Sequence, residues 1–405
     1  MDRTERQKEC LKKWLKFGGR ASIVACTGFG KTRVALNLID AFVTKNPTAQ
    51  VLVVVPTQVL KDQWLEQIDA RGLGLNTRVE IINTVIKLNW SYDLLIIDEC
   101  HRAVAESLSK VFQKVEYKYI LCLTGTLERL DMRHLLLDKF APVCDRITIE
   151  EAEQYGWVAP HKEYVVVLDV DLSEYNSWNA RFNKAFAFFN YDFNVAMKAA
   201  TDVRVRSKVA KDLNADVKLV TVMAMEFVRS LKARKEFIAN HPKKLEVARK
   251  IIEARKDRKI LTFSSTIKQS ESIGPGYVLH SKKSKKQNQE TIEKFNNDKC
   301  GVMHTSKSAD EGVDIAGVNT EIILSVDSSK IRKGQRVGRA IRAEEGKTAE
   351  IFTIVIGGTQ EMKWLANSKT SKLITINEDQ LEKVLAGETV ETRERNYTEN
   401  LEFRF

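Results

Sequence analysis

Cysteine, proline and histidine are all scarce, with six of each in 405 residues. The cysteines, at positions 10, 26, 100, 122, 144 and 300, form no CxxC pair and no regular spacing. That removes a disulfide framework, and thiols in a reducing compartment are expected instead. Cys26, Cys100, Cys122 and Cys300 lie in or beside apolar runs, where a small buried side chain fits. No apolar stretch is long enough to span a membrane. The opening Met1-Asp2-Arg3-Thr4-Glu5-Arg6-Gln7 lacks the apolar core of a secretory leader. The expectation is a soluble, cytoplasmic protein, or one working in a host cytoplasm if the source is viral. Short-period repeats are missing too. Glycine is absent from residues 173–256, where proline occurs once, at Pro242; that span is expected to be mostly helical.

The chain is rich in charge and in short β-forming runs. Charged residues make up 29% and hydrophobic residues 43%, a globular composition rather than a disordered one. The length suits two domains of ordinary size. Sixty-five Lys and Arg against 54 Asp and Glu leave a net charge of +11 and a pI near 9.2. A balance that basic points to nucleic acid, with a solvated basic surface as the plain alternative.

Apolar runs at 22–26, 51–55, 79–82, 94–98 and 119–124 alternate with helical patterns such as 31–42 and 58–70. Strands separated by helices predict a parallel sheet covered on both faces, with ligands at the carboxyl ends of the strands. A second series, at 259–263, 277–280, 301–305, 321–325 and 351–356, predicts a second α/β domain. The expected plan is an ATP-binding domain over 1–160, a connector and mostly helical insertion over 161–256, a second domain over 257–360, and a helical, charged tail over 361–405. Within the insertion, Trp178, Phe182, Phe186, Phe188, Phe189, Tyr191 and Phe193 cluster. They suit a helix seam packed on a neighbouring domain, or a wedge that stacks on bases. The basic run 281–286 reads as a solvated loop within reach of a phosphate backbone.

Two motifs carry the chemistry. Ala25-Cys26-Thr27-Gly28-Phe29-Gly30-Lys31-Thr32 is a glycine-rich loop opening a helix, where backbone N–H groups and the helix N-terminus converge on phosphate. Lys31 suits the β and γ phosphates, and the Thr32 hydroxyl suits magnesium. The apolar run 94–97 ends in Asp98-Glu99-Cys100-His101. Asp98 suits the same magnesium, and Glu99 can orient and deprotonate water. Together these predict hydrolysis of a nucleoside triphosphate with ATP and Mg2+ as cofactors. In the second half, Gln335-Arg336-Val337-Gly338-Arg339-Ala340-Ile341-Arg342 places Arg339 and Arg342 on one helix face, suited to the charge of a transferring phosphoryl group. The run 305–314 ends a strand with small hydroxyl residues, Gly312 for a turn and Asp314 to orient a ligand.

This order of motifs resembles superfamily 2 helicases with a DExH box, over about residues 4–358. ACTGFGKT resembles motif I, VVVPTQVLKDQW (53–64) motif Ia, LLIIDECH motif II, and LTGT (123–126) motif III. FSST (263–266) resembles motif IV, TSKSADEGVD motif V and QRVGRAIR motif VI. The resemblance implies two RecA-like domains in tandem. It implies nucleotide contacts from Gln7, which such proteins use to read adenine, and from Thr27, Gly28, Phe29, Gly30, Lys31, Thr32, Gly312 and Asp314. Catalytic roles fall on Lys31, Asp98, Glu99, Gln335, Arg339 and Arg342. His101, Thr124 and Thr126 would link the acid pair to motif III. Nucleic-acid contacts fall on Pro56, Thr57, Thr84, Ser264, Thr266, Thr305 and Ser306. The stretch 123–131 resembles XPB-like, UvsW-like and RadD-like proteins, which act on duplex or branched DNA. Leu127 departs from the proline that many relatives carry there. The resulting expectation is a monomeric DNA helicase or translocase acting on single-stranded, forked or branched DNA in recombination, repair or replication. An RNA helicase and an ATP-gated nucleic-acid clamp are the alternatives.

Overall fold

The computed structural model describes residues 1–390 except 88, 103–104, 126–134, 307–314, 325, 327–347 and 367–372. Its described strands form two sheets in which every pairing is parallel.

The first sheet is built from an alternating run of elements: α1 (Arg3–Lys16), β1 (Arg20–Ala25), α2 (Lys31–Lys45), β2 (Val51–Val55), α3 (Gln58–Asp69), β3 (Thr77–Ile81), α4 (Ile82–Val85) and β4 (Trp90–Ile97). After a 3-10 turn at Cys100–Arg102 come α5 (Ala105–Lys114), β5 (Val115–Thr124), α6 (Leu135–Phe140), β6 (Val143–Ile147) and α7 (Ile149–Gln154). The strand order is β3-β2-β4-β5-β1-β6. All five residues of β2 are buried, as expected of a central strand with helices on both faces. This order sets the ends of β1 and β4 on either side of β5, so the phosphate-loop motif and the acid pair emerge along one edge.

The second sheet takes β7 (His161–Leu168), β8 (Lys259–Phe263), β9 (Tyr277–Leu279), β10 (Gly301–Thr305), β11 (Thr320–Ile323), β12 (Ala349–Ile356) and β13 (Leu373–Ile376). Their order is β13-β7-β12-β11-β8-β10-β9. Two of these strands differ from the sequence expectation. Residues 161–168, expected to be connector, pair along their whole length with β12, from His161–Ala349 to Leu168–Ile356. Residues 373–376, in the expected tail, add an edge strand beyond β7. The start of β7 is charged, and Glu163 is buried there against the His161 ring at 3.2 Å. That hidden charge masks the strand in a hydropathy reading.

Between β7 and β8 lie five helices: α8 (Ser173–Phe188), α9 (Phe193–Thr201), α10 (Val203–Asp212), α11 (Val217–Asn240) and α12 (Pro242–Ala254). The first four build a core of their own from Ala185, Phe189, Ala196, Val209, Val220, Ala224 and Phe227. The aromatic cluster is mostly consumed there: Phe182 stacks on Phe227 at 5.1 Å, and Phe186 lies 5.5 Å from the same ring. The seam therefore packs within the insertion. Tyr191 and Phe193 stay exposed at the α8–α9 corner, and Trp178 carries Arg181 and Arg229 over its ring. The run 281–286 is partly helical: Ser284 caps α14 (Lys285–Asn297) in a capping box with Gln287. Cys300, expected to be a buried thiol, is exposed, whereas Cys26, Cys100 and Cys122 are buried.

One buried ion pair ties α12 to α15 (Gln360–Ala366), which precedes β13. Lys244 Nζ donates to both Glu361 oxygens, at 2.7 and 2.8 Å, and to the Leu324 carbonyl at 3.0 Å. Both side chains are fully buried, and Glu361 also accepts from the Ile356 N–H. Burial lowers the Lys244 ammonium from its usual range and raises the Glu361 carboxyl, each against the pull of its partner. Removing one partner strands the other charge in the interior. Lys244→Met is expected to cost about 3 to 5 kcal/mol in denaturant unfolding, while Lys244→Met with Glu361→Leu recovers most of it.

Candidate active site

The loop after β1 is shaped by two glycines. Gly28 and Gly30 have φ of +90° and +91°, a region that a side chain makes costly. A Cβ on Gly28 would fall 2.9 Å from Val158 Cγ1, and one on Gly30 would fall 2.8 Å from Gln7 Nε2. Gly30 is also the N-cap of α2, with no side-chain cap. The first N–H groups of the helix are thus left facing the loop, the arrangement that favours an anion. Thr27 and Thr32 are half-buried. Phe29 is fully buried against Trp157, with ring centroids 5.5 Å apart, so only its backbone faces the loop. Lys31 Nζ donates to the Ala25 carbonyl at 3.1 Å, across the loop it is expected to serve.

Gln7 is 1% exposed and its Nε2 donates to the Phe29 carbonyl at 2.8 Å. Its Oε1 is buried and has no hydrogen-bond partner among the described residues. A buried amide with one idle acceptor suits a ligand amino group. The helix carrying it is pinned by ions. Arg6 bonds Asp145 and Glu151, with Nη2–Oδ1 at 3.0 Å and Nε–Oε1 at 2.8 Å, and Lys13 reaches Asp145 at 2.7 Å. Burial alone would raise the Asp145 carboxyl, but Arg6 and Lys13 overcome it and hold it below the usual carboxylate range.

Asp98, at the end of β4, is 6% exposed. Burial and the adjacent Glu99 charge push it up to about 6, opposed by the Trp64 N–H, Lys31 and the Glu99 backbone N–H. Glu99 has a φ of +47°, a left-handed conformation that a side chain adopts at some cost and that is common at functional sites. Its Oε2 lies 3.2 Å from His101 Nδ1, and the same nitrogen lies 2.6 Å from Thr124 Oγ1. Gly125 follows, and a Cβ there would sit 3.7 Å from Lys31 Nζ. The structure thus brings Lys31, Asp98, Glu99, His101 and Thr124 to one sheet edge. Among the described residues no group of three or more His, Cys, Asp or Glu is placed to hold a metal. A cation at Asp98 and Thr32 would therefore complete its shell with phosphate oxygens and water, as magnesium commonly does. The buried Asp98 carboxylate, raised by burial and by the neighbouring Glu99, is stabilised by such a cation.

The expected nucleic-acid residues fall into two groups. Pro56 and Thr57 are half-buried at the entry to α3, where Thr57 Oγ1 accepts from the Leu60 N–H, and Thr84 is half-buried in α4. Thr266 is exposed and caps α13 (Ile267–Ser272). The other three point inward. Thr305 is fully buried and its hydroxyl donates to the Thr262 carbonyl at 2.7 Å. Ser264 and Ser306 are also buried, and Ser264 Oγ has no partner among the described residues. Thr126, Gly312, Asp314, Gln335, Arg339 and Arg342 lie outside the described residues.

A phosphate loop opening a helix, an acid pair with Asp98 buried along the same sheet edge, and two parallel sheets define a P-loop nucleotide-binding protein with tandem RecA-like domains. Comparison with known proteins narrows the class. "Type III restriction enzyme, res subunit" matches residues 1–87 and 80–129, and "Helicase conserved C-terminal domain" matches 243–344. The chain is 28% identical over 379 residues to the DNA 3'-5' translocase XPB2 of Sulfurisphaera tokodaii, covering 88% of this chain and 82% of that protein. A putative ATP-dependent RNA helicase, QP509L of African swine fever virus, is 30% identical over 145 residues, 30% of this chain and 28% of that one. The fold is that of the Pyrococcus furiosus Hef helicase domain, with a TM-score of 0.54 at 14% identity over 91% of this chain and 97% of that one. S. cerevisiae Dbp5 bound to RNA and ADP BeF3 gives 0.56 at 13% identity over 94% and 92%. The chain belongs to the superfamily 2 helicases and is a nucleic-acid-dependent ATPase.

Two expectations follow from the α1 anchor. Gln7→Ala should raise the KM for ATP about tenfold and narrow discrimination against GTP, because a buried polar contact to the base is lost. Steady-state ATPase with both nucleotides checks it. Asp145 has a folded pKa below its unfolded one, so its contribution to stability is present above about pH 4 and fades as pH falls through the folded value. The melting temperature should drop on that limb, and Asp145→Asn should lower it already at pH 7 while flattening the limb.

Proposed function

We propose that this chain is an ATP-driven motor on DNA, moving along or separating duplex or branched DNA in recombination, repair or replication. It works as a monomer in the cytoplasm. The observation that carries the DNA reading is the extent of the match to XPB2, named a DNA 3'-5' translocase, which covers most of both chains. The match to the viral protein named an RNA helicase covers under a third of either, and that name favours RNA as the second reading.

The chemistry rests on the first sheet edge. The N-terminal turn of α2 and the loop amides receive the phosphates, and Lys31 exchanges its bond to the Ala25 carbonyl for the β and γ phosphates. Thr32 and Asp98 would hold magnesium, whose charge would offset that of the phosphates. Glu99 accepts the proton of the attacking water, with His101 holding its carboxylate toward Thr124. Arg339 and Arg342 supply positive charge to the transferring phosphoryl group. Gln7 reads the adenine edge through its idle Oε1.

The test is steady-state ATPase without polymer, then with single-stranded DNA, duplex, fork, four-way junction and RNA at matched nucleotide concentration. Branched or duplex DNA is expected to stimulate at least tenfold more than RNA, and Lys31→Ala to abolish turnover in every case. Stimulation by RNA alone would overturn the DNA assignment, and turnover surviving in Lys31→Ala would overturn the nucleotide site.

A further inference from the structure

Trp64 on α3 ends the stretch 53–64 that resembles motif Ia, where no role falls on it, yet it bonds Asp98. Its indole Nε1 donates to Asp98 Oδ2 at 2.8 Å, and the Glu99 backbone N–H donates to Asp98 Oδ1 at 2.9 Å. Trp64 is 1% and Asp98 6% exposed. Each carboxylate oxygen therefore has one fixed donor, and the carboxylate plane is set with a lone pair on each oxygen still open. The donor side chain is anchored from behind. It sits two turns of helix after Thr57, the N-cap of α3, at a rise of about 10 Å. Lys61 on the same helix bonds Glu80 of β3 at 2.9 Å. Beneath this end of the helix lies a cavity of about 230 Å³ lined by Pro56, Asn83, Asp98, Glu99 and Cys100, among others.

We infer that Trp64 is a positioning residue: it orients Asp98 for the divalent cation and transmits movement of the Pro56–Thr57 turn, when nucleic acid binds there, to the nucleotide site along α3. This rests on the ATP-site reading above. An indole N–H that merely satisfied itself would pack equally well against a backbone carbonyl. Here the bond goes to the buried carboxylate assigned to the cation, and it leaves a lone pair on each oxygen for that cation. Outer-sphere hydrogen bonds of this kind commonly alter metal affinity by 10- to 100-fold, and coupling between two ligands must act in both directions.

The experiment measures binding of a fluorescent ADP in EDTA and across a Mg2+ titration, with and without single-stranded DNA, for the native chain, Trp64→Phe and Lys31→Ala. Trp64→Phe is expected to bind nucleotide in EDTA as the native chain does, and to need about tenfold more Mg2+ for the tight-binding state. DNA should lower the Mg2+ midpoint of the native chain and leave that of Trp64→Phe unchanged. If Trp64→Phe does not fold, benzothienylalanine at position 64, which replaces only the N–H by sulfur, makes the same measurement. An unchanged Mg2+ midpoint in the variant, with Lys31→Ala still losing nucleotide, overturns the positioning role alone. Native-like nucleotide binding by Lys31→Ala overturns the site beneath it.

Discussion

Burial of the Asp98 carboxylate beside Glu99 is the constraint around which the carboxyl edge of the first sheet is arranged. The two adjacent acids repel one another, and burial of Asp98 and that repulsion push it up to about 6. The arrangement persists because donors surround it: the Trp64 indole, the Glu99 N–H and, more distantly, Lys31. All three come from different elements, and each is placed by the order in which the strands pair. With β5 between β1 and β4, the Lys31 ammonium lies beside Gly125 at the end of β5, where a Cβ would meet it at 3.7 Å, an ordinary contact. Electrostatic cost is thus stored where positive charge would relieve it, a pattern typical of functional sites.

A similar argument explains the N-terminal helix. A glutamine on the surface of a first helix would have little to say about the nucleotide. Here Arg6 and Lys13 fasten α1 to Asp145 and Glu151, and the helix is thereby held with Gln7 against the Phe29 carbonyl. The pinning groups lie on β6 and α7, next to the stretch where Trp157 packs on Phe29. Base, loop and the exit from the first sheet are therefore one packed unit, and a change in the loop is felt by the chain leading into β7.

Much of this was legible in the residues. Runs such as Val51–Val55 and Lys259–Phe263 are strands over the expected residues, because buried parallel strands are continuous apolar runs with abrupt ends. The glycine loop and the acid pair were legible because phosphate and metal chemistry tolerate few alternatives. The strands β6, β7 and β13 escaped for physical reasons: Asp145 in β6 is a buried charge paired with Arg6 far away in sequence, Glu163 in β7 is a buried charge beside His161, and β13 is a four-residue edge. Pairing that neutralises a charge is a tertiary fact, and hydropathy along the chain does not carry it. The same holds for Thr305. As a small hydroxyl at a strand end it reads as a phosphate contact, but its proton is spent on Thr262.

Trp64 shows the converse limit. In sequence it is an apolar position of an amphipathic helix, and nothing in its spacing distinguishes it from a core residue such as Ile68, one turn further on and also fully buried on α3. Only the crossing of α3 over the end of β4 gives its N–H a carboxylate. The residue that sets Asp98 is therefore supplied by the element that begins at the expected nucleic-acid turn. In a parallel sheet, where every strand ends at the same edge and each next helix starts there, the two binding events share their walls. The helix that starts at the turn proposed to grip the strand already touches the carboxylate proposed to hold the metal, so the coupling proposed above calls for no separate relay in the first domain.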